Sequence, residues 1–258
     1  MYFENICEEL NLNILKIQPI KDEPILFIED KKILIIADLH IGIEKELREH
    51  GLNPMSQTEK MLKHLITICK KYKPNEIILL GDIKHNIPST TFQERNDVKN
   101  FLEQIQKLSA IHIIPGNHDG NIHKLSPENI IYHPSDGFIL ENIGFTHGHR
   151  WPSKDVMKCD QIITAHTHPT VMLTDRLEYK SFEPCWLKGY FIKSKLKEKY
   201  PSASNPELLI IPAFNPLCGG IAVNREGVTG PLGKLMDIGN SIVYLLDGTS
   251  LGPVKNIL

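Results

Sequence analysis

The chain has 258 residues, of which 41% are hydrophobic and 23% charged, and its formal net charge is −2. This length is sufficient for one large core, so we expect a single domain over residues 1–258. The near-neutral charge excludes a global positive field for nucleic acid, and no apolar run approaches the roughly 18 residues of a membrane-spanning helix.

Short apolar runs alternate with amphipathic segments over the first two thirds of the chain. Two hairpins are predicted, one from residues 25–28 and 33–37 and one from residues 138–140 and 143–145. Further buried strands are predicted at residues 77–80, 111–114 and 162–165. Helices are predicted over residues 56–72 and 91–108. This alternation favours α/β architecture with a parallel or mixed sheet.

The pattern changes after His168, and strands are predicted at residues 208–211 and 242–246. No linker precedes them, so we expect residues 176–258 to complete a second sheet behind a motif-bearing core at about residues 25–175. Lysines interleaved with aromatic residues between 188 and 200 predict a solvated helix face, and a nucleic-acid groove is the less favoured alternative.

The ends of the chain and its cysteines suggest where the protein resides. The start lacks a basic segment followed by an apolar core, so we expect no signal peptide. The five cysteines are scattered and form no C-x-x-C pattern. We therefore expect reduced thiols, a cytoplasmic location and no membrane partner.

Histidine and aspartate are concentrated in short segments that each follow an apolar run. These segments are Asp38–His40, Gly81–His85, Gly116–Asp119, Thr146–His149 and Ala165–His168. Active sites of α/β proteins lie at the carboxyl ends of strands, so the segments are expected to meet. Strand alternation predicts that Asp38 and His40 point to one side, as do His166 and His168. Mixed imidazole and carboxylate donors suit Mn, Fe, Zn, Co or Ni, and two such ions could hold a phosphate ester.

The ordered set D-x-H, G-D-x-x-H, G-N-H-D, a single His and H-x-H resembles the motif series of the calcineurin-like metallophosphoesterase superfamily. The resemblance covers about residues 33–169, with Ala165 where the family usually has Gly. Residues 184–187 and 211–220 are similar to SbcD-related archaeal phosphoesterases, a subgroup near the bacterial ligase-associated phosphoesterases. The resemblance implies a four-layer α/β/β/α sandwich of two mixed sheets flanked by helices.

The resemblance also implies roles for single residues. One divalent ion, with manganese as the first expectation, would take Asp38, His40, Asp82 and His168. A second ion would take Asp82, Asn117, His147 and His166. His118 would be the general acid at the leaving group, oriented by Asp119 or another carboxylate. His147 is favoured over His149 as the ligand because it precedes Gly, and His85, His149 and Arg150 are candidates for substrate contact.

The leading interpretation is therefore a dinuclear-metal phosphodiesterase for nucleotide or nucleic-acid substrates. A small-molecule phosphomonoesterase and a non-catalytic scaffold are the alternatives, and retention of every expected ligand together with His118 argues against the scaffold. Protein Ser/Thr phosphatases show G-D-x-V-D-R-G and G-N-H-E, which the segments beginning at Gly81 and Gly116 do not match. A homo-oligomer is left open.

Overall fold

The computed structural model describes residues 15–257. Cys7 and the start of the chain, on which the absence of a signal peptide was predicted, lie outside the described residues. Within residues 15–257, no helix has both the length and the apolar character needed to cross a bilayer.

The first sheet contains both predicted features of the N-terminal half, the hairpin and the parallel strands. Its six strands within residues 15–257 are β1 (Ile17–Pro19), β2 (Leu26–Ile28), β3 (Ile33–Ile36), β4 (Glu76–Leu79), β5 (Ala110–Ile113) and β6 (Ile131–Tyr132), in that spatial order. Strands β1 to β3 pair antiparallel, and β3 to β6 pair parallel. The parallel part aligns the carboxyl ends of β3, β4 and β5 on one edge.

Two helices, α2 (Thr58–Tyr72) and α3 (Phe92–Gln106), cover the outer face of this sheet. The short helix α1 (Glu44–Glu49) precedes them in the chain. Leu65 of α2 and Phe101 of α3 are fully buried in the same apolar cluster as Leu34 and Ile77 of the sheet. Helix α3 begins with a capping box, in which Thr91 and Glu94 exchange side-chain and backbone hydrogen bonds.

The second sheet combines the remaining strands within residues 15–257. These are β7 (Phe138–Leu140), β8 (Ile143–Phe145), β9 (Gln161–Thr164), β10 (Pro169–Thr174), β11 (Lys180–Gly189), β12 (Glu207–Ile210), β13 (Ile221–Ala222), β14 (Ile242–Leu245) and β15 (Ser250–Pro253). The sheet is mixed, since β8, β9 and β12 run parallel while β10 and β11 pair antiparallel. Short helices α4 (Lys193–Lys199) and α5 (Gly230–Gly233) lie in the C-terminal part.

Three apolar clusters separate four layers and give the expected α/β/β/α sandwich. Ile35 and Ile78 of the first sheet pack against Phe145 and Trp186 of the second. The outer face of the second sheet packs on α4, where Leu196 is fully buried. Because strands such as β3 are buried on both faces, their sequence is continuously apolar rather than alternating.

The β10–β11 hairpin differs from the sequence prediction. Residues 184–187 were expected to lead into a helix over residues 188–200, but they belong to β11, and α4 covers only residues 193–199. Strand β11 hydrogen-bonds to β10, β12 and β14. Besides its hairpin neighbour β10, its conformation therefore depends on β12 and β14, which lie further along the chain and which local patterning does not reveal.

We predict that Thr91→Ala lowers the free energy of unfolding by about 1 kcal/mol, the usual cost of a lost N-cap. The substitution removes the acceptor of the hydrogen bond from the Glu94 N–H, which is 3.1 Å long. Urea denaturation measures the change. Thr67→Ala is the control, because Thr67 is exposed within α2 and alanine is a good helix former. Equal stability of the two variants would show that the cap is dispensable.

Candidate metal centre

The predicted polar segments all lie just beyond strand ends and meet at one edge of the sandwich. Asp38 and His40 follow β3, and Asp82 follows β4. The second sheet contributes His147 after β8, and His166 and His168 after β9. The site is therefore assembled from both sheets, with its chain segments held by the parallel pairs.

Tight left-handed turns aim these side chains. The φ angles are 57° at Asp38, 38° at His40, 50° at Asp82, 68° at His166 and 46° at His168. Strand alternation therefore does not explain why these side chains point to one side, because β3 ends at Ile36 and β9 at Thr164, before the paired residues. The paired side chains converge because the backbone turns back on itself. Non-glycine residues adopt such angles at a cost in energy, and they cluster at functional sites.

Asp82 occupies the centre of the cluster. Its Oδ2 lies 3.5 Å from His40 Nε2 and 3.3 Å from His147 Nε2. Its Oδ1 accepts a 2.9 Å hydrogen bond from the His118 N–H. The side chain is only 2% exposed, so one buried carboxylate faces imidazoles from both sheets.

Asp38 forms the second carboxylate of the cluster. Its Oδ1 lies 3.3 Å from His168 Nε2, and its Oδ2 accepts a 3.3 Å hydrogen bond from the His166 N–H. Burial alone would raise the pKa of Asp38, but the neighbouring His168 and His147 lower it. The carboxylate is therefore charged at neutral pH.

Backbone carbonyl groups select the tautomers of two histidines. His147 Nδ1 lies 2.8 Å from the Leu80 carbonyl oxygen, and His168 Nδ1 lies 3.0 Å from that of Gly219. A carbonyl oxygen only accepts, so Nδ1 carries the hydrogen. In the neutral ring this leaves the Nε2 lone pair facing the carboxylates, as in histidines that bind metals.

A carboxylate–histidine pair selects the tautomer of His40. Glu46 Oε2 lies 2.6 Å from His85 Nε2, and His85 Nδ1 lies 3.0 Å from His40 Nδ1. The hydrogen bond from His85 lowers the pKa of Glu46, which therefore acts as the acceptor. This chain of hydrogen bonds leaves His40 Nε2 to face Asp82. His85, predicted to contact substrate, is instead 8% exposed behind His40 with both ring nitrogens engaged.

The electrostatics of the cluster favour a cation. Burial disfavours protonated His147, but the adjacent Asp82 and Asp38 carboxylates raise its pKa to about 9. Burial instead lowers the pKa of His40 to about 3 and that of His166 to about 4, which keeps both rings neutral. The site thus attracts positive charge, and His40 and His166 present neutral imidazole lone pairs, while a divalent ion would displace the proton of His147.

The donor set fits metal ions. Among the described residues, Asp38 Oδ1 and His147 Nε2 are buried without a hydrogen-bond partner. The ligand atoms of Asp38, His40 and Asp82 lie within 4.8 Å of one another, as do those of Asp82, His147 and His166. Two adjoining groups that share Asp82 could therefore each hold an ion. Asn117 follows β5 and is exposed, and the N–H of the next residue, His118, donates to Asp82 Oδ1.

His118 and Asp119 occupy different surroundings from those expected. His118 is half-buried, and its Nδ1 donates to the His85 carbonyl, which leaves Nε2 as the other ring nitrogen. Asp119 accepts from the Ile83 N–H at 2.8 Å and the Gly116 N–H at 2.9 Å. Its carboxylate therefore ties two loops together through backbone groups. An orienting contact between Asp119 and the His118 ring, which the sequence suggested, is replaced by this role.

The two remaining candidates for substrate contact, His149 and Arg150, differ in their position relative to the cluster. The His149 ring is half-buried, with its centroid 6.2 Å from that of His166, and burial lowers its pKa to about 4. Arg150 is exposed and donates a 2.7 Å hydrogen bond to Ser135 Oγ. His149 therefore lies next to the predicted ligands, while Arg150 is held by a residue outside the cluster.

Two supporting residues were not identified from the sequence. Glu94 Oε1 accepts 2.8 Å hydrogen bonds from the N–H groups of His85 and Asn86. Asn215 Nδ2 donates a 2.8 Å hydrogen bond to the Leu39 carbonyl. Each residue fixes a ligand-bearing loop, Glu94 from the following helix and Asn215 from a distant point in the chain. The segment containing Asn215 attracted notice only through its family resemblance.

Comparison with known proteins places these observations in a family. A family model of calcineurin-like phosphoesterases matches residues 31–199. Among solved structures, the chain is similar to the nuclease MPE of Pseudomonas putida, with 19% identity, a TM-score of 0.54, and coverage of 89% of this chain and 95% of that one. It also matches Yfce, a phosphoesterase from E. coli, with 16% identity, a TM-score of 0.35, and coverage of 58% and 76%. At 19% identity the likeness to the nuclease MPE concerns the fold alone.

We predict that Gly116→Ala weakens metal affinity by about 10- to 100-fold, the usual cost of disturbing the support of a ligand. A Cβ atom at Gly116 would lie 2.1 Å from Asp82 Oδ1, so the central carboxylate must move. Competition with a chromophoric chelator measures the affinity.

Gly120→Ala is the matched control for this substitution. It lies on the same loop, and a Cβ atom there would meet nothing within 4 Å. Wild-type metal affinity in Gly116→Ala would contradict the placement of Asp82 at the centre of the site.

Proposed function

Since the chain belongs to the calcineurin-like phosphoesterase family, we propose that it uses two divalent ions to hydrolyse phosphodiesters of nucleotide or nucleic-acid type. Family membership makes the protein a metal-dependent phosphoester hydrolase. The use of two ions, their identity and the class of substrate form the proposal.

The observation that carries the proposal is the position of Asp82. Its Oδ2 approaches His40 Nε2 and His147 Nε2 within 3.5 Å, so one carboxylate can serve two adjoining ions. The first ion would be held by Asp38, His40, Asp82 and His168. The second would be held by Asp82, Asn117, His147 and His166. Manganese is our first candidate, with Fe, Zn, Co or Ni also compatible with these donors.

Bound divalent ions would supply Lewis-acid polarisation of the phosphate and easier ionisation of the attacking water. The chain itself supplies the groups that orient and protonate. His118 donates its Nδ1 hydrogen to the His85 carbonyl, so Nε2 is the nitrogen that would deliver a proton to the leaving oxygen. Asp119 would position His118 by holding the loop at Gly116.

Three further parts of the sequence interpretation also stay proposals. Similarity to SbcD-related phosphoesterases rests on residues 184–187 and 211–220, and the nuclease name of the Pseudomonas putida protein supports a nucleic-acid-type substrate. A cytoplasmic location is supported by the free thiols of Cys69, Cys159, Cys185 and Cys218 among residues 15–257. A homo-oligomer is the third open point, and size-exclusion chromatography would test for it.

We predict that chelation abolishes hydrolysis of bis-p-nitrophenyl phosphate and that Mn²⁺ restores it. Asp82→Asn should lower the metal content and the rate together, because both ligand groups lose their shared carboxylate. Elemental analysis and nitrophenolate release provide the two measurements. Asp155→Asn is the control, since Asp155 is exposed and pairs with Lys158.

The same assay separates the alternative functions. A higher kcat/KM for p-nitrophenyl phosphate than for the diester would favour a phosphomonoesterase. Binding of two ions without turnover of either ester would favour a scaffold.

We also predict that His118→Asn slows hydrolysis of a dinucleotide by about 10²- to 10⁴-fold, the usual contribution of a general acid. The loss should be smaller for bis-p-nitrophenyl phosphate, because nitrophenolate leaves without needing a proton. Steady-state rates on both substrates test this difference. His123→Asn is the control, because His123 is exposed a few residues further along. Equal losses on both substrates would assign His118 a role other than proton donation.

A further inference from the structure

A cavity of about 600 Å³ adjoins the metal centre on the side of His168. The His168 ring belongs to both the metal centre and the cavity wall. Its Nε2 faces Asp38, and its Nδ1 donates a hydrogen bond to the carbonyl of Gly219, which lines the cavity. A phosphate at the metal centre would therefore have one of its ester substituents directed towards this space. The volume is within the range of small-molecule pockets, roughly 300–1,000 Å³.

The cavity exists because the second sheet extends beyond the first. Successive residues of a strand face opposite sides, so Phe182 and Pro184 share the face of Trp186. Trp186 is buried between the sheets, whereas Phe182 is 56% exposed on the same face. Pro184 pairs with Thr170 on the neighbouring strand β10, and both line the cavity. Part of the inner face of the sheet is thus left open beside the metal centre.

The opposite wall is formed by α2 and the segment after β12. Phe214 lines the cavity and stacks on His64, with ring centroids 6.3 Å apart. His64 Nε2 lies 2.7 Å from Glu23 Oε2, so the nearby carboxylate is already hydrogen-bonded. Lys60 adds an exposed amine at the rim. The space is therefore aromatic and apolar on two sides, with a cation at its edge and an anionic centre for metals at its end.

Polar side chains in the wall favour a ligand that also carries hydrogen-bonding groups. Gln57 and Lys60 line the cavity beside its aromatic and apolar residues, and Lys60 is exposed. Heteroaromatic rings combine flat apolar faces with polar edges, and so match both properties of the lining.

We propose that this cavity binds the base of a single unpaired nucleoside whose phosphate lies at the metal centre, with the base stacked on Phe182. The inference rests on the proposed function for the position of the phosphate, and it narrows the substrate to esters that carry a nucleoside. It makes Phe182 a specificity-determining residue. The occupant is a mononucleotide ester or the frayed end of a strand, which share the same chemistry.

Calorimetric titration with AMP and ribose 5-phosphate tests the inference, because the two ligands differ only by the base. The protein carries His118→Asn to suppress turnover and is measured with added Mn²⁺. We expect AMP to bind at least about tenfold more tightly than ribose 5-phosphate, as stacking of a base on an aromatic side chain typically contributes this much. Phe182→Ala should abolish the preference, and Phe182→Tyr should retain it.

Tyr179→Ala is the matched control, because Tyr179 is 75% exposed on the same hairpin and is not part of the cavity wall. Equal affinity for both ligands, no binding of either, or an unchanged AMP affinity in Phe182→Ala would overturn the inference. Hydrolysis of methyl p-nitrophenyl phosphate by the parent chain is a separate readout, because this diester carries no nucleoside. If it is hydrolysed, the proposed function holds even when the inference about the cavity fails. Tighter binding of a short single strand than of AMP would identify a strand end as the source of the nucleoside.

Discussion

The structure depends on two carboxylates, Asp38 and Asp82, buried side by side without a permanent positive partner. Burial of unpaired charge is strongly unfavourable, and such groups require protons or metal ions as counter-charges. Without an ion, the carboxylates raise the pKa of His147 to about 9. A divalent ion would replace that proton and satisfy the free lone pairs. The need of two buried carboxylates for a positive counter-charge thus underlies both the chemistry of the site and the stability of its loops.

The remainder of the fold keeps this cluster in place. Carbonyl groups of Leu80 and Gly219 set the tautomers of His147 and His168. Asp119, Glu94 and Asn215 bind the loops through backbone groups rather than through the ligands. A site built in this way can store left-handed backbone strain, because many hydrogen bonds determine the same conformation. The same second sheet that supplies three histidines also forms one wall of the adjoining cavity.

Sequence periodicity predicted the elements whose stability is local. Helices α2 and α3 lie within two residues of their predicted bounds, since an amphipathic stripe and capping residues are encoded over a few turns. The β10–β11 hairpin was missed because β11 also obtains hydrogen bonds from β12 and β14, which lie further along the chain. The positions of His85 and Asp119 were likewise beyond local pattern, since the distant Glu46 carboxylate and Ile83 N–H determine them.

The sequence alone determined the class of chemistry. The donor types of its aspartate and histidine segments indicated a site for divalent ions, and the resemblance of their order to the calcineurin-like motif series implied a metal-dependent phosphoesterase of two-sheet architecture. The tertiary structure decided which nitrogen of each histidine faces the carboxylates, which residues support rather than contact the site, and where a cavity lies open beside it. Those properties arise from pairs of groups that are far apart in sequence, such as Asn215 and Leu39 or His147 and Leu80. Only packing in three dimensions brings such groups within reach of one another.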